Sequence, residues 1–158
     1  MEQFKISWLG FFYLAMLFIP NFFWAKAKPV GYTAEEENPV LLVFERVGEV
    51  LTTCCVFLAR KETPGGLWRL WLAGSFALML LYEIFWARYF KGAHTLEDFY
   101  GAMLGIPVPG ASLPVAAVCL LGIYNCAWWT VVSGVILGIG HIGIHLQHKK
   151  VGGENYGI

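Results

Sequence analysis

Six ionisable residues lie within stretches of this sequence that are otherwise apolar enough to cross a lipid bilayer. They are Glu45, Arg46, Glu49, Glu83, His141 and His145. An ionisable side chain in hydrocarbon costs several kcal/mol, so it is usually retained only where it faces a partner, a cavity or a functional task. These six residues are therefore the candidate binding site, or the candidate site of proton or ion handling.

Their spacing on a helix brings several of them together. Glu45 and Glu49 lie four residues apart, as do His141 and His145, so each pair shares one helical face. Carboxylate and imidazole groups bind zinc, iron or manganese, which makes these four residues candidate ligands of a divalent transition metal. Arg46 argues against a pure metal site and favours an anionic group. The sequence does not identify a cofactor.

The same side chains are also typical of proton relays and transporters. Glu45, Glu49 and Glu83 would carry protons or cations, and the two histidines would titrate near neutral pH. Two structural explanations stay open. Glu45 or Glu49 could neutralise Arg46, and Glu83 could neutralise Arg88, only to fix helix packing. The histidines could form hydrogen bonds between helices, while His148 is expected at the level of the lipid headgroups.

Composition indicates the environment of these residues. Apolar residues make up 58% of the 158 residues and charged residues 14%, whereas soluble domains average ~45–50% and about 25%. The apolar residues form blocks of about 18 or more, the length that crosses a bilayer. We therefore predict an all-α, polytopic integral membrane bundle in a single domain, residues 1–158. Zero net charge gives no indication of a nucleic-acid partner. The expected partners are the lipid bilayer and other membrane subunits.

Five transmembrane helices are predicted, at residues 6–24, 40–59, 67–88, 104–123 and 127–148. Asn38-Pro39 is a start signal for the second, and Thr95–Asp98 predicts a short helix between the third and fourth. The first has a signal-peptide alternative, with a cleavage motif at Ala25–Ala27.

The last two spans depend on how Leu113–His145, a single apolar stretch, is divided. As one helix it would be about 50 Å long, beyond the ~30 Å of hydrocarbon. Turn chemistry at Gly122–Asn125 favours a division into two spans. Three prolines should break the fourth span where it enters the membrane, namely Pro107, Pro109 and Pro114. The alternative is four spans, with 113–145 as one long helix.

The sequence indicates the function less directly than it indicates the fold class. The leading hypothesis is an ion- or small-solute-handling protein or a transporter subunit. The alternatives are a membrane enzyme with a Glu/His metal centre acting on a lipid or quinone, and a structural or assembly subunit. No metalloprotease, nucleophile-elbow, P-loop or dinucleotide motif is present. An excess of lysine and arginine predicts a cytoplasmic C-terminus, in a plasma-membrane protein.

Overall fold

The computed structural model describes residues 4–32, 37–60 and 62–156, and it is almost entirely helical. In chain order the helices are α1 (Trp8–Trp24), α2 (Pro39–Cys55), α3 (Arg69–Lys91), α4 (Leu96–Tyr100), α5 (Pro109–Tyr124) and α6 (Trp128–Tyr156). A 3₁₀ turn, Gly66–Trp68, leads into α3. Two short strands, β1 (Phe4–Ile6) and β2 (Leu58–Arg60), pair antiparallel. The all-helical class is as predicted, apart from this small sheet.

Two helices in the described part of the chain are long and apolar enough to cross a membrane, Gly66–Lys91 and Trp128–Val151. In each, 28% of the most apolar window is buried by the rest of the chain. Most of this apolar surface therefore faces outward, which suits lipid better than water. α1 and α5 are apolar but shorter. The structure thus supports a helical membrane protein and does not establish five spans.

Because of the small sheet, α1 begins later than the first predicted span and α2 ends earlier than the second. Ile6 pairs with Leu58, so neither residue belongs to a helix. α1 begins after Ser7, whose hydroxyl accepts a hydrogen bond from the Gly10 N–H at 3.3 Å. α2 ends at Cys55. Strand pairing then satisfies backbone groups that a longer helix would have bonded internally.

The helix starts follow the predicted capping residues. The Asn38 side chain accepts hydrogen bonds from the backbone N–H groups of Val40 and Leu41, and Pro39 opens α2. Thr95 and Asp98 form a reciprocal capping box at the start of α4. The short helix predicted between the third and fourth spans is therefore present.

The chain turns between α5 and α6, which excludes the single long helix over residues 113–145. α5 ends at Tyr124 and α6 begins at Trp128. Arg60 donates its backbone N–H to the Asn125 carbonyl at 3.0 Å. The Trp68 indole donates to the Tyr124 carbonyl at 3.1 Å. These bonds satisfy carbonyl groups at the end of α5 that no helical donor reaches.

The predicted proline break lies at the start of the fourth span. Residues 104–108 are not helical, so the helix begins five residues later than expected. Val108 has a left-handed backbone, with φ of 40°, which is unfavourable for a β-branched residue. Pro109 then occupies the first turn, where its missing N–H costs nothing. Pro114, by contrast, is accommodated inside a continuous α5.

Close helix contacts and buried hydrogen bonds hold the bundle together. α2 packs along α6, α3 along α5, and α5 along α6, while α1 packs on α3. Gly48 of α2 lies against the Leu137 backbone, and a methyl group there would overlap it. Ser75 donates to the Ala117 carbonyl at 2.6 Å and lies 2.9 Å from the Tyr13 hydroxyl, joining α1, α3 and α5.

Candidate functional site

A cavity of about 210 Å³ lies at one end of the bundle, where α1 and α6 end and α2 begins. α4 and the start of α5 complete its wall. Its lining combines ionisable and aromatic side chains. The residues are Asn21, Trp24, Tyr32, Glu37, Glu45, Arg46, Glu49, Trp86, Phe99, Tyr100, Gly110, His141, Ile144, His145 and His148. Five of the six candidate residues from the sequence are among them.

Glu45 and His141 form the closest polar contact in the cavity. Glu45 Oε1 lies 2.6 Å from His141 Nδ1, and these side chains are 11% and 26% exposed. This distance is typical of a charge-assisted hydrogen bond, with the imidazole N–H donating to the carboxylate. The predicted convergence of the acidic residues of α2 with the histidines of α6 is therefore present in the geometry.

Glycine residues determine how close these two groups can come. A methyl group on Gly140 would overlap the backbone of Glu45, so α2 and α6 meet at the residue next to His141. Such close approach is possible only with a small residue at the crossing. The close approach of α2 to α6 and the Glu45–His141 hydrogen bond therefore both depend on the adjacent residues Gly140 and His141.

The histidines continue along one face of α6 from the Glu45–His141 pair. The His145 ring lies 4.6 Å from the His141 ring and 5.6 Å from the Tyr100 ring, between their centroids. The Tyr100 hydroxyl lies 2.8 Å from His148 Nδ1, at hydrogen-bond distance. His148 Nε2 lies 3.5 Å from Glu37 Oε1. Ionisable side chains are therefore neighbours from Glu45 to Glu37, with ring contacts alone on either side of His145.

Two tyrosines beside these groups keep their phenolic protons. Burial raises the pKa of the Tyr100 phenol above its ordinary value. Burial raises the pKa of Tyr32 as well, and the nearby carboxylates of Glu37 and Glu45 add to the effect. Both phenols consequently keep their protons at neutral pH. A protonated Tyr100 hydroxyl can donate to His148 Nδ1.

Arg46 and Glu49 form a separate pair at the edge of the cavity. Arg46 Nη1 lies 3.0 Å from Glu49 Oε2, one helical turn apart, and the side chains are 68% and 44% exposed. Such an exposed pair contributes about 0–1 kcal/mol. Arg46 therefore does not neutralise Glu45, which turns instead toward α6.

Glu83 is the candidate residue that the structure does not place in the cavity. It lies on α3, and its Oε1 atom is buried without a hydrogen-bond partner among the described residues. The suggested pairing of Glu83 with Arg88 is not observed within those residues. The sequence indicated the depth of Glu83 along the bundle. It could not indicate the direction in which the side chain points about the helix axis.

The described residues do not assemble a metal centre. Among them, no three His, Cys, Asp or Glu side chains come together as a metal ion would require. Glu45 and His141 are bonded to each other, and His145 turns toward Phe99 and Tyr100. The proposed metal ligands His141, His145, Glu45 and Glu49 are thus near neighbours without a shared centre.

The aromatic part of the cavity was not predicted. Its rings come from α1, α3, α4 and the loop after α1, namely Trp24, Tyr32, Trp86, Phe99 and Tyr100. His148 was expected at the headgroups, yet its side chain is only 10% exposed and joins the cavity wall. The position of the capped helix α4 against the end of α6 explains both findings. The sequence indicated that helix but not its direction.

Similarity to known proteins provides no further information about this site. No protein-family description matches the chain, and no curated protein or solved structure is detectably similar to it. The functional argument therefore depends on the chemistry of the cavity.

Proposed function

We propose that this protein handles a small solute or ion at a membrane, alone or as a transporter subunit, and that its Glu45–His141 pair exchanges a proton. The observation that carries the proposal is the 2.6 Å contact between Glu45 Oε1 and His141 Nδ1 in the cavity wall. A carboxylate and an imidazole in hydrogen-bond contact share one proton between two bases. Such pairs are typical of proton pathways within membranes.

The surroundings of Glu45 favour proton exchange over a fixed ion pair. His141 and His148 on α6, Arg46 on α2 and Tyr32 in the loop are the titratable or charged groups that act on it. Arg46 is already paired with Glu49, so the histidines are the groups that can exchange protons with Glu45. His145 and His148 extend this exchange toward Glu37.

A five-helix membrane arrangement is part of the proposal. Helices α1, α2, α3, α5 and α6 alternate in direction, and one end of the bundle holds the small sheet and the α5–α6 turn. Hydrogen bonds from Ser7 to Phe57 and from Arg60 to Asn125 gather these segments at that end. The cavity lies at the other end. Lysine and arginine are slightly more frequent there, which favours the cytoplasmic face of the plasma membrane.

Proton flux in liposomes tests this function. Purified protein would be reconstituted around a trapped pH-sensitive dye, and a potassium gradient with valinomycin would supply the driving voltage. We expect wild-type protein to acidify the lumen faster than protein-free liposomes. Glu45→Gln and His141→Gln should each reduce the rate to that of protein-free liposomes. Glutamine at residue 45 can still accept the hydrogen bond from His141, so folding should persist.

Glu83→Gln is the matched control, because it neutralises a carboxylate that lies outside the cavity, on helix α3 of the same bundle. It should keep the wild-type rate. Wild-type flux equal to that of protein-free liposomes would refute the proposal. Flux that survives Glu45→Gln in a correctly folded variant would assign the pair to helix packing instead.

A further inference from the structure

We propose that the cavity binds a small organic ammonium, a solute whose positive nitrogen is carried on a compact apolar body. This inference rests on the proposed function, because it names the class of solute that shares the cavity with the exchanged proton. It depends on the charge, the rings and the volume of the cavity.

The charge of the cavity favours a cation. Its described lining contains three carboxylates, Glu37, Glu45 and Glu49, and one permanently charged cation, Arg46. Glu49 and Arg46 neutralise each other at the exposed edge. Each of the two remaining carboxylates has a histidine as its closest ionisable partner, Glu45 with His141 and Glu37 with His148. Carboxylates therefore outnumber permanent cations in the described lining, which favours a cationic solute over an anionic one.

The aromatic lining favours an organic cation over an inorganic one. Five rings contribute to the wall, and the face of an aromatic ring attracts a cation that has shed its water. A small inorganic ion instead needs several oxygen or nitrogen ligands around one point. Among the described residues, no three His, Cys, Asp or Glu side chains come together in this way. Alkylated ammonium ions are only weakly hydrated and suit aromatic walls.

The chain itself shows that two of these rings accept an ammonium group. Lys28 Nζ lies 5.4 Å from the centroid of the Trp24 ring and 5.4 Å from that of Tyr32. One positive nitrogen thus contacts two rings that are nearly perpendicular, at 89°. This arrangement resembles half of the aromatic cage that binds methylated ammonium groups in other proteins, and a bound solute would take the place of the Lys28 ammonium there.

The volume limits the size of the solute. The cavity of about 210 Å³ has room for a compact ammonium ion such as choline. Choline is therefore a suitable probe.

The decisive experiment compares choline with 3,3-dimethyl-1-butanol, which has the same shape but a carbon in place of the charged nitrogen. Binding would be measured by titration calorimetry on full-length protein in a maltoside detergent, because detergents with choline headgroups would compete. We expect choline to bind and the neutral alcohol to bind at least about tenfold more weakly, with most of the difference due to cation–π and carboxylate contacts. Equal binding of both would overturn the proposal, as would no binding of choline.

A pair of variants at residue 32 tests the aromatic contribution. Tyr32→Leu should weaken choline binding about three- to thirtyfold, the range of one cation–π contact. Tyr32→Phe keeps the ring and should bind like the wild type. Equal affinity of the leucine and phenylalanine variants would contradict the assignment of that ring.

The two proposals can fail separately. Choline binding without proton flux would leave the ammonium site and remove the proton function. Proton flux that depends on Glu45, without choline binding, would support the proton function and refute the ammonium site.

Discussion

Gly140 of α6 lies directly against the backbone of Glu45 in α2, in the turn that carries His141. A methyl group at residue 140 would overlap the Glu45 backbone, which cannot move without displacing the helix. The polar contact of the cavity therefore depends on the missing side chain of Gly140, and the separation of the two helices depends on this glycine and on Gly48.

Gly140→Ala should consequently separate α2 from α6. Overpacking of this kind costs about 1–3 kcal/mol of unfolding free energy. We expect lower thermal stability in detergent and loss of Glu45-dependent proton flux. Gly74→Ala is the control, because its added methyl would only touch a Leu120 methyl at 3.4 Å. Equal stability of the two variants would show that the helix crossing is not as close as described.

Ser75 joins three helices, and its removal should destabilise the bundle. Ser75→Ala leaves the fully buried Tyr13 hydroxyl without its Ser75 partner, at a cost of about 1–3 kcal/mol. Adding Tyr13→Phe removes that unpaired hydroxyl. The double variant should therefore lose less stability than the sum of the two single variants, as measured by denaturant unfolding in mixed micelles. Additive losses would argue against the bond between them.

The capping box of α4 should make this helix sensitive to acid. A hydrogen bond from the Thr95 backbone lowers the pKa of Asp98, and the hydroxyl of Thr95 and the charge of Arg88 act in the same direction. A carboxyl group whose pKa is lower in the folded state stabilises the fold above its ordinary pKa. That contribution is lost as the pH falls through the lowered value. We expect hydrogen exchange at Phe99 and Tyr100, measured relative to the intrinsic exchange rate at each pH, to accelerate there.

Thr95→Ala should produce the same acceleration at neutral pH, since losing such a cap costs about 1 kcal/mol. Thr63→Ala, in the loop before α3, is a control outside this helix. Unchanged exchange in α4 after Thr95→Ala would show that packing alone holds the helix.

Glu83 should be dispensable for stability. Its buried Oε1 atom has no hydrogen-bond partner among the described residues, so the carboxylate is a cost that no bond offsets. Glu83→Leu should retain or raise the thermal stability of the purified protein. Ile84→Leu, at a neighbouring position on the exposed surface, controls for the change of side chain. A marked loss of stability would show that Glu83 has a partner.

Labelling at the two ends of the bundle tests the five-helix membrane arrangement. Glu62→Cys lies near the small sheet and Lys150→Cys near the cavity, and both positions are exposed. In a background without the four native cysteines, a membrane-impermeant reagent should label these two variants from opposite sides of the membrane. Labelling of both from one side would contradict the arrangement.

Local signals in the sequence predicted much of this structure. Asn38 and Thr95 were identifiable as helix caps, because a cap depends on residues within one turn. The turn near Asn125 followed from the excessive length of residues 113–145 as a single helix. The small sheet could not be foreseen, since three-residue strands at positions 4–6 and 58–60 carry no periodic pattern.

The candidate site was predicted only in part, because the sequence indicates position along a helix but not rotation about its axis. Position along a helix follows from residue count, which brought Glu45 and His141 to one depth. Rotation about the helix axis depends on packing against neighbours, and it turned Glu83 away from the cavity. Tyr32 and Phe99 joined the site through a loop and a short helix whose directions only tertiary contacts determine.

The hydrogen bond between Glu45 and His141 joins residues 96 positions apart, and it has a consequence for biosynthesis. α2 leaves the ribosome well before α6. Throughout translation of the intervening chain, the Glu45 carboxylate lacks the His141 imidazole. Until α6 emerges, water or another group must solvate that carboxylate.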